Sequence, residues 1–314
     1  MSDNLVALPP SGIVLALQFW PGDEARALRL ARLIADIEPR RRDDVTFAFC
    51  RRFDMPEESP EAWRTRLHVG HKFGTIAIRS EREGVGHPDG CNALWSGTMD
   101  KLAGAWTAGK LDRHSVFTFE ADGVPLRSDW LDRLIAAHAE TLRAGKRVTG
   151  PEMRRYPHVN GSIIAHLSLW GDRPSLHQTP TGQAFDLFHA AVLMAEARPT
   201  GWMQNVYGAC DWSSASLAAM SKEVAFLCSQ KDDSALAWAE RNLRQEATMA
   251  NACRACSKPL RPESEGLADG CPCNSPRGVN HGLVPAHVCT CDTCDPAQSG
   301  SVRPAPARRV TVHG

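Results

Sequence analysis

Val116-Phe117-Thr118-Phe119-Glu120-Ala121-Asp122-Gly123-Val124-Pro125-Leu126 is the stretch whose reading decides the fold. Four residues of β-forming, mainly apolar character lead directly into two carboxylates. A spacing of two along an extended chain points Glu120 and Asp122 to the same side. Gly123 permits a tight turn after them, and Pro125 keeps the strand from continuing unbroken. Two carboxylates delivered together to a strand end suit a hard divalent cation such as Mg²⁺ or Mn²⁺, which in turn holds a diphosphate. The competing reading is that they cap the next helix or face solvent.

The flanking sequence repeats the grammar of a buried strand followed by a helix. Ile13 to Leu17 is a continuous apolar run, a strand covered on both faces. Pro21-Gly22-Asp23 reads as a turn, with Asp23 as helix cap, and Leu28, Ala31, Leu33, Ile34 and Ile37 then recur at helical spacing before Pro39. Further strands are expected at Val45 to Phe49 and Thr75 to Ile78. A helix is expected from Ser128, with Trp130, Leu131, Leu134, Ile135 and Leu142 on one face and Gly145 as its stop. This order predicts an α/β fold: an open, mostly parallel sheet flanked by helices, with ligands at the carboxyl ends of the strands. No internal repeat is present.

The 314 residues carry 36 Lys+Arg against 36 Asp+Glu, with 43% hydrophobic and 23% charged residues. That balance excludes a mainly disordered chain and does not advertise a polyanion-binding surface. No run approaches the roughly 18 apolar residues of a membrane helix. The first residues have neither a basic start nor a long apolar core of a secretion signal. The expectation is a cytoplasmic protein with no membrane partner, from a bacterial or phage-infected cell.

The Glu120-x-Asp122 run resembles the aspartate-x-aspartate motif of nucleotide-sugar glycosyltransferases of the GT-A fold. More narrowly, it is similar to phage and bacterial enzymes in which Phe117, Glu120, Asp122, Pro125 and Leu126 precede a helix opening with Asp129-Trp130-Leu131. The resemblance covers about residues 12–238. It implies a GT-A-like sheet and a Mn²⁺ or Mg²⁺ ion on Glu120 and Asp122 that grips the diphosphate of the donor. It also implies that the His87-to-Trp95 segment lies over the nucleotide, with Gly90 allowing close approach and Asn92 bonding the base or ribose. His158 and Asn160 of His-Val-Asn-Gly stand for the acceptor-side wall, and Asp186 for the base that deprotonates the acceptor. Read without the resemblance, these are an Asp-Gly turn, an Asn-Gly hairpin turn and a helix cap. Near the end of the resemblance, Cys228 stands where a metal-binding histidine is expected, and Lys231 follows it as a point charge for the diphosphate. Soft sulfur is a poor ligand for a hard cation.

Seven of the 11 cysteines fall between Cys253 and Cys294. Cys253-x-x-Cys256, Cys271-x-Cys273 and Cys289-x-Cys291-x-x-Cys294 have the spacing of structural Zn²⁺ sites, with His281 and His287 between them. Few large apolar residues lie in this segment, so metal would have to hold it. The expected organisation is a GT-A-like domain over residues 1–250, a small zinc-stapled module over 251–298 and a flexible tail over 299–314. His114, His138, His166, His177 and His189 have no site-like spacing and read as core or surface residues.

The leading expectation is therefore a metal-dependent glycosyltransferase that moves a sugar from a nucleotide-sugar to a hydroxyl. Saccharides are one class of acceptor. Hydroxylated bases in phage DNA are another, because the similar phage enzymes act on them. Two alternatives share the same features: a zinc-ribbon nucleic-acid-binding protein whose α/β domain is not catalytic, and a nucleotidyltransferase.

Overall fold

The computed structural model describes residues 12–151, 153, 158–206, 212–228 and 233–250, together with the short strands at 260–261 and 288–289. Two compact units divide the chain, Met1–Arg244 and Gln245–Gly314. In the first, β1 (Ile13–Phe19) leads through α1 (Glu24–Ile37) to β2 (Arg42–Arg51). Then α2 (Pro60–Gly70), β3 (Phe73–Arg79), α3 (Asp89–Thr107) and β4 (Ser115–Glu120) follow. The short β5 (Gly123–Pro125), the long α4 (Trp130–Arg143) and the pair β6 (Val148–Gly150) and β7 (Ile163–His166) come next. After α5 (Ser168–Asp172), α6 (Phe185–Phe188) and α7 (Ala190–Glu196) the chain forms β8 (Ala197–Pro199), β9 (Met203–Asn205), α8 (Ser214–Met220), β10 (Phe226–Cys228) and α9 (Asp233–Ala250).

Seven strands form one sheet in the order β3-β2-β1-β4-β7-β6-β8. All run parallel except β7, which is antiparallel to both its neighbours. The expected open, mostly parallel α/β sheet is thus present. The expected strands and α1 are there too, each a few residues longer than its apolar run, while the helix expected from Ser128 begins at Trp130. The apolar stretch after Asp186 is broken into α6 and α7 at His189.

Strand parity explains the two-sided core. Ile13, Leu15, Leu17 and Phe19 of β1 join α1 on one face, while Val14 and Ala16 join Trp95, Met99 and Leu102 of α3 on the other. A ring cluster fills the first face: Phe117 and Phe226 lie 5.0 Å apart edge to face, and Trp130 lies 5.4 Å from Phe226. On the second, Trp95 stacks on Phe185 at 3.8 Å.

Chain order decides where a ligand goes. From β1 the chain steps outward to β2 and β3, then crosses back to lay β4 on the other flank of β1. The order reverses between β1 and β4, and at such a reversal the loops at the carboxyl ends part and leave a crevice. A three-stranded sheet, β5-β10-β9, closes one side of that end. Here Cys228 pairs with Gly123.

In the second unit, β11 (Leu260–Arg261) pairs antiparallel with β12 (Val288–Cys289). The side chain of Cys289, the cysteines at 253, 256, 271, 273, 291 and 294, Lys231 and the segment 299–314 lie outside the described residues. No helix among the described residues is long and apolar enough to cross a membrane.

Candidate active site

A cavity of about 570 Å³ opens at the reversal between β1 and β4. Gln18, Phe19 and Trp20 border it from the end of β1, Glu120 and Asp122 from the end of β4, and Gly90, Cys91 and Leu94 from the first turns of α3. Arg52, just past β2, closes another side. Both half-buried carboxylates border the same space, Glu120 at the end of β4 and Asp122 in the turn at 121–122 rather than on the extended chain that the spacing suggested, while Ala121 between them is buried in the core. Arg26 fixes that turn from behind, its Nε donating to the Ala121 carbonyl at 2.9 Å.

On the same cavity, Arg52 is held by Asp54 through two hydrogen bonds of 2.8 and 2.5 Å. Its guanidinium lies 5.4 Å from the centre of the Trp20 ring, which is 38% exposed. Such a pair offers a ligand an aromatic face backed by positive charge. A Cβ at Gly90 would fit tightly, 3.2 Å from Arg52 Nη1 and 3.3 Å from the Gly84 carbonyl oxygen.

Cys228 is buried beside the two carboxylates, where its thiol shares a hydrogen bond with Ser162. Burial first, and then the charge of Asp122, push this thiol well above the ordinary thiol range. Without a cation beside it, the thiol is held in its neutral form. Among the described residues, no group of three or more His, Cys, Asp or Glu side chains is placed to hold a metal ion.

Asn92 corrects the sequence expectation. It is fully buried. Its Nδ2 donates to the carbonyls of Pro180 and Gln183, both at 2.9 Å, and its Oδ1 accepts from the Phe185 N–H at 2.9 Å. An amide satisfied on both sides by main chain is a clamp on the 180–185 segment, not a contact to base or ribose. Asp89, one turn earlier, accepts from the Gly182 N–H at 2.7 Å and holds the same segment.

That segment delivers Asp186. Its carboxylate accepts from the N–H of the next residue, Leu187, at 2.9 Å and stands 3.7 Å from His158 Nε2; Asp186 lies inside α6, whose cap position is Ala184. Burial raises the Asp186 pKa above the usual carboxylate range, and the charge of His158 opposes the shift. His158 and Asn160, expected at an acceptor-side wall, meet the fold's own groups here. His158 is 3% exposed and faces Asp186, while Asn160 Oδ1 accepts from the Ser162 N–H at 3.0 Å in a local turn. Neither borders the cavity, and neither does Asp186. The two regions are joined at β4, where Thr118 Oγ1 donates to the Gly161 carbonyl at 2.9 Å.

Sequence reasoning passed over Gln18, Trp20 and Arg52. The available signal was positional: each ends or immediately follows a central parallel strand.

No protein-family model and no curated protein matches the chain. Among solved structures, it is similar to the apo form of mouse xyloside xylosyltransferase 1, with 10% identity, 70% of this chain and 98% of that one covered, and a TM-score of 0.43. It is also similar to glycosyltransferase GlyE of Streptococcus pneumoniae TIGR4, with 9% identity, 76% and 63% covered, and a TM-score of 0.45. A third is galactosyltransferase LgtC in complex with donor and acceptor sugar analogues, with 9% identity, 75% and 95% covered, and a TM-score of 0.45.

Proposed function

We propose that the α/β unit is a metal-dependent glycosyltransferase that moves a sugar from a nucleotide-sugar donor to a hydroxyl acceptor. The observation that carries this reading is one cavity lined both by an aromatic and cationic pair, Trp20 and Arg52, and by two carboxylates, Glu120 and Asp122, within about 570 Å³. That volume lies in the range of small-molecule sites, and the two kinds of lining suit the base and the metal-bound diphosphate of a nucleoside diphosphate.

The carboxylate pair fits a divalent cation. Mg²⁺ and Mn²⁺ take hard oxygen donors, commonly one or two carboxylates with substrate phosphates and water completing the shell. Asp122 would ligate the ion directly, and Glu120 would ligate it or orient a water bound to it. The neutral Cys228 thiol is not needed. When bound, the ion supplies charge neutralisation for the departing diphosphate, an effect of several kcal/mol in metal sites generally.

The chain itself supplies positioning and a proton acceptor. Gly90 lets the diphosphate-bearing ligand approach the first turn of α3. Asp186 is assigned as the base that takes the proton of the acceptor hydroxyl, its raised pKa bringing it nearer the working pH than an ordinary aspartate. His158, held 3.7 Å away, keeps the carboxylate oriented. The acceptor is a saccharide hydroxyl or, as in similar phage enzymes, a hydroxylated DNA base. The cysteine-rich segment is proposed to be a separate Zn²⁺-held appendage, on thiol spacing alone, and less than one zinc per purified chain would remove it.

Incubation with a panel of nucleotide-sugars and Mn²⁺ tests the reading. Donor hydrolysis or transfer that stops on chelation supports it. Absence of turnover with every donor favours the non-catalytic alternative, and pyrophosphate exchange a nucleotidyltransferase.

A further inference from the structure

Gln18 is a polar residue placed where the sheet wants an apolar one. Within β1 its backbone pairs in register with Cys50 of β2 on one side and Glu120 of β4 on the other. It is 4% exposed, on the face it shares with Val14 and Ala16, beneath α3. Its Nε2 has no hydrogen-bond partner among the described residues, yet the residue borders the 570 Å³ cavity. A buried amide donor without a partner costs stability, and native chains keep such groups where something outside the fold satisfies them. Its place is the point where the strand order reverses, with Glu120 directly across.

We infer that Gln18 Nε2 is a specificity donor reserved for an acceptor oxygen of the nucleotide that fills this cavity. The inference rests on the donor reading above and adds a residue to it. An amide suits the position for a chemical reason. A lysine here would pair with Glu120 and Asp122 and compete with a cation for them. An amide N–H donates to a ribose hydroxyl, a base carbonyl or a phosphate oxygen without carrying charge to the two carboxylates.

Gln18→Met keeps length and volume but cannot donate. The full-length chain, with Mn²⁺ present, is titrated calorimetrically with UDP, GDP, CDP and ADP, and melted without nucleotide. The expected result is that wild type binds at least one of them, Gln18→Met binds that one tenfold or more weakly, and the variant melts at the same or a higher temperature. Gln18→Glu keeps the shape, places an acceptor where the donor was, and gives the same loss of affinity. Competition by the free nucleoside and by inorganic pyrophosphate tells which half of the ligand carries the oxygen. Equal affinity of wild type and variant overturns this inference and leaves the donor reading standing. A lower melting temperature of Gln18→Met also overturns it, because the amide would then be serving the fold. Failure of wild type to bind any of the four removes both.

Discussion

His158 Nε2 and Asp186 Oδ2 stand 3.7 Å apart, both buried, and Trp95 stacks on Phe185, the neighbour of Asp186. Burial raises the carboxyl pKa, so the folded chain binds the proton more tightly than the unfolded one. The contribution of Asp186 to stability is therefore full below the unfolded pKa and is lost as pH rises through the raised folded value. Asp186→Asn should remove that loss, leaving stability at neutral pH equal to or above wild type. It should also lower turnover by about 10²-fold or more while donor affinity persists, the size expected for losing a general base. Melting curves against pH and single-turnover kinetics check both parts. Normal turnover would exclude Asp186 as the base.

His138 behaves in the opposite sense. It bridges Ser115 and Thr149 with ring-nitrogen contacts of 2.9 Å each, and burial lowers its pKa to about 3. Between the unfolded value of roughly 6.5 and that lowered value the unfolded chain takes up a proton that the folded chain refuses. Stability should accordingly fall as pH drops below about 6.5, by about 2 kcal/mol at pH 5 from this one residue. Denaturant titrations of wild type and His138→Gln across that range measure it, the variant losing the slope.

Asp122→Ala should abolish metal-dependent transfer and leave the fold intact, because the side chain is half-buried at a cavity edge. Cys228→Ala provides the contrast. The thiol is neutral and packed, so its loss should cost about 1 to 2 kcal/mol of stability through the vacated volume. It should not change the Mn²⁺ concentration that gives half-maximal turnover. A large rise in that concentration would show that sulfur ligates after all.

Asn92→Ala should be the most disruptive polar substitution in this region. It strands two carbonyls and one N–H that the amide satisfies at 2.9 Å each, inside the protein. Each buried group left unpaired costs about 1–3 kcal/mol, moderated where the loop relaxes towards water. Hydrogen exchange should quicken across residues 179–186 before anywhere else in the sheet. Uniform exchange rates would mean the clamp is not what orders that loop.

The central strands and the carboxylate pair were legible in the sequence because each is a local signal. Val116 to Phe119 is long enough to show its burial, and Glu120 and Asp122 follow it directly, although a turn at 121–122 and not an extended chain brings Asp122 to the cavity. The short strands β6, β8, β9 and β10, three residues each, carry no period that distinguishes them from loops. The role of Asn92 was hidden for another reason. Its neighbours read as a turn and helix cap, and its true partners lie about 90 residues away. Gln18 escaped notice because it sits at the edge of an apolar run. Its meaning appears only when β4, 102 residues later, is laid beside it.

The first turns of α3 do two jobs with adjacent residues. Gly90, Cys91 and Leu94 wall the cavity, while Asp89 and Asn92 hook the strand of chain that ends at Asp186. A substitution at this one helical end would therefore disturb the cavity wall and the placement of Asp186 together.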